Sequence, residues 1–246
     1  MKTLLVPTDF TEYADFALEV AASISKKTGA KIYLLNVIDK IYRKEDGSYN
    51  RYEDVTLNGI TEHKEVDKRF NERKKKYQLQ DVELLKESQF DTVYGSILKY
   101  ADQYKADLII MGAYGNSGSE ESFIGSNTER VMRNSSIPVL TIKQRYENFN
   151  INNIVFASLF LSEAKRIFPK LKSFAELFNA KIHLLKVITP ARFERTPIAI
   201  ALMNKFAAEF NLKDYAVNLY ADNSVEGGII NFSNEVEADI IAITTH

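Results

Sequence analysis

The sequence predicts an α/β protein built on an open parallel five-stranded sheet with helices on both faces, repeated twice with the second copy incomplete. One reason is that short apolar runs alternate with segments whose apolar residues recur at helical spacing, a pattern typical of parallel sheets. The second reason is an internal repeat. KTLLVPTDF at 2–10 is matched by NNIVFASLF at 152–160, and GAKIYLLNVI at 29–38 is matched by NAKIHLLKVI at 179–188.

The first two strands and the helix between them carry the clearest signals. TLLVP at 3–7 is an unbroken apolar run closed by proline, as expected of a strand that is buried on both faces. A helix is predicted at 11–30, with Thr11 as its cap and Gly29 at its end. KIYLLNVI at 31–38 then predicts a second buried strand, which completes a right-handed βαβ unit.

The next part of the chain is polar. Residues 39–60 are rich in tyrosine and charge, and they predict a loop. A charged helix is predicted at 61–78. Its basic run RKKK at 73–76 is either a phosphate-binding patch or a solvated helix face, and we favour the solvated face.

Three strands and two helices complete the first repeat. We expect Gly95 to open the first of these helices. The predicted elements are a strand at 81–88, a helix at 95–105, a strand at 106–112, a helix at 125–136 and a strand at 137–143.

The second repeat follows the first as far as its fourth strand. GGIINFSNEVEADIIAITTH at 227–246 matches GSILKYADQYKADLIIMGAY at 95–114, and the match stops there. Either the sequence ends early or another segment completes this second sheet, because proteins usually cover an unpaired strand edge. The predicted boundaries are 1–143 for the first domain, 144–152 for the linker and 152–246 for the second domain.

Four of the ten glycines lie within fourteen positions, from Gly112 through Gly115 to Gly125. Ligands of open α/β sheets lie beyond the carboxyl ends of the strands, and a helix start binds anions. The cluster is therefore suited to hold phosphates on main-chain amides, and we expect glycine at 112 to permit close approach and a positive φ. The alternative is a flexible turn in which Ser126 or Asn127 is an ordinary helix cap.

The G-2x-G-9x-G-S spacing that begins at Gly112 resembles the nucleotide motif of the universal stress protein family. LLVPTDFTEYADFALEVAASIS at 4–25 is similar to the opening strand and helix of that family, and GSNTERVMRNSSIPVLTIK at 125–143 is similar to its closing third. The likeness covers 1–143 and, more weakly, 152–246, and tandem forms of the family are known. It implies the adenine nucleotide alpha hydrolase-like fold, with strand order 3-2-1-4-5.

The resemblance also implies that the first domain binds an adenine nucleotide, which is ATP or else ADP or AMP, with or without Mg2+. Asp9 would hold the ribose hydroxyls, since a carboxylate accepts both hydrogen bonds, and the alternative role of Asp9 is to help cap the first helix. Val37 would meet the adenine through its backbone. The implied binding residues are Pro7, Thr8, Asp9, Val37, Met111, Gly112, Gly115, Gly125, Ser126 and Asn127, the last four at the phosphates.

The sequence departs from the family pattern in the glycine loop. Family members often carry Thr-His where this chain has Ala113-Tyr114, and a basic residue where it has Asn116. Glu120 and Glu121 add negative charge, which repels phosphate. We therefore expect weak binding of a triphosphate, or a preference for AMP or ADP.

The second repeat lacks the implied binding chemistry. Leu159 stands at the position of Asp9, and Ala157 and Ser158 stand at the positions of Pro7 and Thr8. Thr244 takes the place of Gly112. We expect the second domain to bind no nucleotide.

Composition excludes several classes of function. The net charge of −1 and the pI near 6.4 give no indication of a nucleic-acid or anionic-membrane partner. The chain has no cysteine, which excludes disulfides, thiolate catalysis and cysteine-bound metals. Its apolar runs are too short for a signal peptide or a membrane helix. We expect a cytoplasmic protein.

Catalysis is not the expected activity. The three histidines, His63, His183 and His246, form no metal-type pair, and neither a G-x-S-x-G elbow nor a Walker motif occurs. The leading hypothesis is a stress-response regulatory protein that binds adenine nucleotide with little or no turnover. The alternatives are an interaction scaffold without nucleotide and a slow metal-assisted ATPase. Association is expected as a homo-oligomer through the strand at 137–143, or between the two domains of one chain.

Overall fold

The computed structural model describes residues 1–39, 41–43, 49–51, 58–79, 82–89, 92–115 and 124–244. The chain falls into two units, 1–149 and 150–246, which we call the first unit and the second unit. The first unit contains the first sequence repeat and the second unit contains the second repeat. In the described part of the chain, no helix combines the length and the apolar character that crossing a membrane requires.

Strands and helices alternate along the first unit. Its elements are β1 (Thr3–Pro7), α1 (Glu12–Thr28), β2 (Lys31–Asp39), β3 (Ile41–Arg43), β4 (Tyr49–Arg51), α2 (Asn58–Lys76), β5 (Val82–Gln89), α3 (Val93–Gln103), β6 (Leu108–Gly112), α4 (Ser126–Asn134) and β7 (Val139–Ile142). The antiparallel pair β3–β4 lies in the segment for which the sequence predicts only a loop. Strands of three residues are too short to show a periodic pattern.

The main sheet of the first unit is parallel, with the order β5-β2-β1-β6-β7. Without the separate β3–β4 pair this is the predicted order 3-2-1-4-5, which is therefore confirmed. In the central strand β1, Leu5 pairs with Tyr33 of β2 and with Ile109 of β6. Leu4, Leu5 and Val6 are all fully buried, which explains why this strand is apolar at every position.

The ends of the helices follow capping chemistry. The Thr11 hydroxyl caps α1, and Gly29 ends it with a left-handed φ of 70°, so both predicted termini are confirmed. The predicted start of α3 at Gly95 is wrong. The helix begins at Val93, because the Thr92 side chain accepts a hydrogen bond from the Gly95 amide, 3.3 Å away, and glycine offers no such acceptor.

The second unit repeats four strands of the main sheet, namely β1, β2, β5 and β6. Its elements are β8 (Asn153–Ala157), α5 (Ser162–Phe178), β9 (Lys181–Ile188), α6 (Thr196–Glu209), β10 (Tyr215–Ala221), α7 (Val225–Glu235) and β11 (Ile240–Ile243). Its sheet has the order β10-β9-β8-β11, and all neighbours are parallel. As far as residue 244, where the description ends, no fifth strand joins this sheet.

The edge strand β11 is more exposed than its counterpart β6 in the first unit. Ile241 and Ile243 are 46% and 50% exposed. Their counterparts in β6, Ile109 and Met111, are buried in a cluster with Val131 of α4. The apolar character of β11 therefore matches that of a strand with a helix packed on it.

The two units share their unusual backbone positions as well as their strands. Three pairs of non-glycine residues occupy the left-handed region at equivalent places, which shows that the repeat extends to the turns. The pairs are Phe10 (φ 62°) with Phe160 (59°), Gln78 (50°) with Asn211 (49°), and Lys105 (51°) with Glu237 (49°).

A buried histidine lies in the core of the second unit. The His183 side chain of β9 is near the Phe232 ring of α7, and the residue is 8% exposed. Its Nε2 atom lies 3.2 Å from the Asn153 Oδ1 atom, and its Nδ1 atom is buried without a hydrogen-bond partner. Burial, with a smaller contribution from Lys181, lowers the pKa of His183 below its ordinary value.

We expect the second unit to lose stability as the pH falls from 7.5 to 5.5. The unfolded chain takes up a proton at His183 near its ordinary pKa, whereas the folded chain resists protonation, so acid favours unfolding. Urea unfolding at both pH values measures the loss. His183→Phe removes the titrating group while keeping a ring, and its stability should fall less over this range. Equal losses for the variant and the wild type would contradict the assignment.

Candidate functional site

The candidate site lies where the order of strands in the first sheet reverses. From β1 the chain proceeds outward to β2 and β5, and it then forms β6 and β7 on the other side of β1. Ligands of open α/β sheets lie beyond the carboxyl ends of the strands at such a point. The turn after β1 and the loop after β6 both leave the sheet there, which brings their residues together.

The turn after β1 is tied firmly to β2. The Thr8 amide donates to the Leu35 carbonyl (2.8 Å), and the Asn36 side-chain amide donates to the Thr8 carbonyl (2.8 Å). The Thr8 hydroxyl in turn accepts from the Phe10 amide (3.0 Å). Thr8 and Asn36 are both buried, so these bonds hold the turn in a single shape.

Asp9 occupies the middle of this turn. Its Oδ1 atom accepts from the amide (3.0 Å) and the hydroxyl (2.6 Å) of Thr11, which is the residue that caps α1. Asp9 is therefore not the helix cap itself, but it orients the cap. Its Oδ2 atom faces the glycine loop, because a Cβ atom on Gly115 would lie 2.9 Å from it.

Gly112, at the end of β6, is where α1 approaches the sheet. A Cβ atom on Gly112 would lie 2.8 Å from the carbonyl carbon of Tyr13 and 2.9 Å from its Cβ atom. In the described part of the chain the only glycine with a positive φ is Gly29. Gly112 therefore does not use the positive φ that a glycine permits, and glycine is required there by the helix packed against it.

The start of α4 is fixed to the end of β6. The Gly125 amide donates to the Ala113 carbonyl (2.7 Å), and the Thr128 hydroxyl donates to the Gly112 carbonyl (3.0 Å). A Cβ atom on Gly125 would lie 3.6 Å from the Gly115 amide nitrogen. The loop therefore returns to its own beginning, and α4 starts beside Gly115.

The N-cap of α4 is Gly125, which makes no side-chain capping bond. The alternative in which Ser126 or Asn127 is the cap is thus not what the structure shows. Both are the first residues inside the helix, where backbone amides have no acceptor within the helix and carry partial positive charge. The Gly125 amide is already bonded to Ala113, so the amides available to an anion are those that follow it.

The remaining predicted residues lie on the strands that border the site. Pro7 is the last residue of β1 and pairs with Leu35 of β2. Two positions further along β2, the backbone of Val37 points to the same side as that of Leu35, beyond the end of β1. The Met111 side chain is buried in the hydrophobic core, so only its backbone can border the site.

Part of the predicted loop lies outside the described residues. Asn116, Glu120 and Glu121 are in this category, so their expected effect on phosphate binding stays a prediction. The same holds for His246 and for the His63 side chain. Among the residues that are described, no group of three or more histidine, aspartate or glutamate side chains could hold a metal ion.

Two residues at this edge, Asn36 and Arg73, were not among the site residues predicted from the sequence. Asn36 is the polar residue within the apolar strand KIYLLNVI, and that exception is a signal which could have identified it. Arg73 belongs to the basic run at 73–76 that was assigned to a solvated face. The assignment is right for Lys74, Lys75 and Lys76, which are exposed, but wrong for Arg73, whose side chain is only 15% exposed.

The equivalent edge of the second unit has different chemistry. Ser158 keeps the bond to the next amide, accepting from Phe160 at 3.0 Å, but Leu159 replaces the carboxylate and is half exposed. Lys186 replaces Asn36 and forms an ion pair with Glu194. The turn is thus retained without the group that would hold a ribose.

Residues 1–143 match the sequence model of the universal stress protein family. Two universal stress proteins of Methanocaldococcus jannaschii are similar to the chain. One is 31% identical over 160 residues, covering 58% of this chain and 96% of the relative, and the other is 28% identical over 146 residues, covering 58% and 82%.

A solved structure of similar fold extends over both units. The crystal structure of a universal stress protein from Archaeoglobus fulgidus superimposes with a TM-score of 0.72. It covers 98% of this chain and 84% of the other, with 20% sequence identity, and at that identity the likeness concerns the fold alone. Because the family match spans more than half of the chain and agrees with the sheet order, this chain belongs to the universal stress protein family.

Proposed function

We propose that the first unit binds an adenine nucleotide, and that binding rather than turnover is its activity. The observation that carries this proposal is the position of Gly115, which stands between the Asp9 carboxylate and the start of α4. A hydrogen-bond acceptor for a ribose and a set of amide donors for phosphates therefore lie on either side of one glycine. This combination of charges fits a sugar phosphate better than it fits a simple anion.

The proposal assigns a role to each side of the site. Asp9 accepts hydrogen bonds from the ribose hydroxyls, and the backbone of Val37 meets the adenine beyond the end of β1. The amides of Ser126 and Asn127 receive the phosphates, supported by the positive end of α4. Gly115 keeps the loop close enough for both contacts, since any Cβ atom there would collide with Asp9.

In this proposal Mg2+ binds only together with a nucleotide. Mg2+ is usually held by one or two carboxylates and by substrate phosphates, and it keeps several waters. Asp9 already accepts two hydrogen bonds from Thr11. We therefore assign the ion, where it is bound, to the phosphates rather than to a separate protein site.

The second unit, in this proposal, supports the protein without binding nucleotide. Leu159 has no acceptor for the ribose hydroxyls, and the Lys186–Glu194 ion pair occupies the place of Asn36. For association we retain the homo-oligomer, with β7 as the contact, because β7 is an edge strand of its sheet.

Replacing the Asp9 carboxylate should weaken nucleotide binding without unfolding the protein. Asp9→Asn keeps an oxygen that can accept from Thr11, but it exchanges the other oxygen for an NH2 group, which cannot accept from the ribose hydroxyls and carries no negative charge. We expect the Kd for ATP to rise about tenfold or more, as is typical when a hydrogen bond to a charged group is lost. Isothermal titration calorimetry with AMP, ADP and ATP measures this and establishes their order of affinity.

The chain offers a matched control for this substitution. Leu159→Asn places the same side chain at the equivalent turn of the second unit, and it should leave every Kd unchanged. Equal affinity of the wild type and Asp9→Asn would contradict the role of Asp9.

Adding a side chain at Gly115 should separate binding from folding. Gly115→Val places a Cβ atom 2.9 Å from the Asp9 carboxylate, so either the loop or the carboxylate must shift out of the proposed binding geometry. We expect saturating ATP to raise the melting temperature of the wild type by several degrees and that of the variant not at all. The unliganded melting temperatures should be similar.

The same measurements test the two other functions. If no adenine nucleotide shifts the melting temperature of the wild type, an interaction scaffold replaces the proposed function. If the wild type releases phosphate from ATP with Mg2+ or Mn2+ well above the Asp9→Asn variant, a slow ATPase replaces simple binding.

A further inference from the structure

The last turn of α2 is docked on the turn that carries Asp9. The contact is made by Arg73, whose guanidinium group has two partners there. Its Nε atom donates to the Asp15 Oδ1 atom of α1 at 2.6 Å, and a terminal nitrogen donates to the Phe10 carbonyl at 2.8 Å. The Phe10 ring also lies against the guanidinium, with its centroid 4.8 Å from the Cζ atom. Arg73 thus binds the residue next to Asp9 on two sides.

The Phe10 backbone is held at both of its peptide units. Its φ of 62° is left-handed, a conformation that is unfavourable for a residue with a Cβ atom. The Phe10 amide is fixed by the Thr8 hydroxyl and the Phe10 carbonyl by Arg73. The peptide units on both sides of this residue are therefore held, and the direction in which Asp9 leaves the backbone depends on them.

The other partner of Arg73 links the same turn to the helix behind it. Asp15 lies in the first turn of α1, and its Oδ2 atom also accepts from the Tyr77 hydroxyl at 3.3 Å. The Asp9 carboxylate is bonded to Thr11, the cap of that helix. Arg73 therefore closes a ring of contacts around Asp9 that runs through Phe10 and through α1.

The second unit provides an internal comparison for this contact. The left-handed residues Gln78 and Asn211 align the ends of α2 and α6, which places Phe206 at the position of Arg73. Phe206 packs edge-to-face on Phe160, the counterpart of Phe10, with ring centroids 5.2 Å apart. An aromatic ring is thus sufficient to dock this helix on a left-handed phenylalanine.

The arginine at this helix position occurs in the unit that also has the Asp9 carboxylate. The unit with Asp9 uses a nearly buried guanidinium, whereas the unit with Leu159 in that place uses phenylalanine. If the position served only to pack the helix, a hydrophobic side chain such as phenylalanine would avoid the desolvation cost of a charged group. We infer that Arg73 is a positioning residue, which holds the Phe10 peptide so that Asp9 faces the nucleotide. This inference rests on the proposed function of the site.

The test is a double-mutant cycle between Arg73 and Asp9. Arg73→Phe copies the second unit and should keep the melting temperature of the unliganded protein, while raising the Kd for ATP about tenfold. In the Asp9→Asn background the same substitution should change the Kd less than twofold, because Arg73 acts through Asp9. Arg73→Lys keeps the charge but has no fork to reach both partners, so it should behave like Arg73→Phe.

A control on the same turn of the helix is Lys74→Ala, which should leave the Kd unchanged. An equal loss of affinity in the wild-type and Asp9→Asn backgrounds would overturn the inference, since it would show that Arg73 acts independently of Asp9. A fall in melting temperature that accounts for the whole loss of affinity would overturn it as well.

Hydrogen exchange of the nucleotide-free protein tests whether Arg73 positions Asp9, even if the wild type binds no ATP. The Thr11 amide donates to Asp9, so its protection reports how well Asp9 is held. We expect Arg73→Phe to accelerate exchange at Thr11 about tenfold and Lys74→Ala to leave it unchanged. Unchanged exchange in Arg73→Phe would overturn the positioning role, whereas absent binding with faster exchange would remove only the proposed function.

Discussion

The close packing of α1 on Gly112 is the constraint on which the rest of the site depends. No Cβ atom fits between the end of β6 and the backbone of Tyr13, so the first turn of α1 lies directly on the strand. The carbonyl of the same glycine accepts the Thr128 hydroxyl of α4. Gly112 thereby fixes the positions of both α1 and α4. The turn that enters α1 and the loop that enters α4 must then meet, which brings a carboxylate next to a helix start.

The two units show how one backbone accommodates two kinds of chemistry. Phe10 and Phe160 have the same left-handed conformation, and each is followed by a helix that packs on the sheet. Around Phe10 the neighbours are charged and hydrogen-bonded, whereas Phe160 lies among aromatic rings, including Phe156 and Phe206. Strand pairing and turn geometry are therefore set by features common to both repeats.

Some of this architecture could be read from the sequence because its cause is local. The unbroken apolar run TLLVP became the central strand β1, and the Thr11 and Gly29 signals marked the ends of α1. The role of Arg73 could not be read in this way, because its partner Phe10 is 63 residues away and its neighbours in the sequence are solvated lysines. Gly112 was singled out for the close approach of a ligand and for the φ freedom of glycine, whereas the structure requires glycine there because α1 packs on it. A helix packed on that residue leaves no trace in the local pattern.

One further difference between the units concerns the sign of a charge pair. In the first unit Asp15 of α1 faces Lys76 at the end of α2, with 4.0 Å between the charged atoms. In the second unit Lys165 of α5 pairs with Glu209 at the end of α6, so the signs are reversed. If α6 took the place of α2 against α1 while the chain folded, two carboxylates would meet, and the opposite exchange would bring two ammonium groups together. Each pair is therefore complementary only within its own repeat, and an exchange of these segments between the repeats would leave no ion pair at this position.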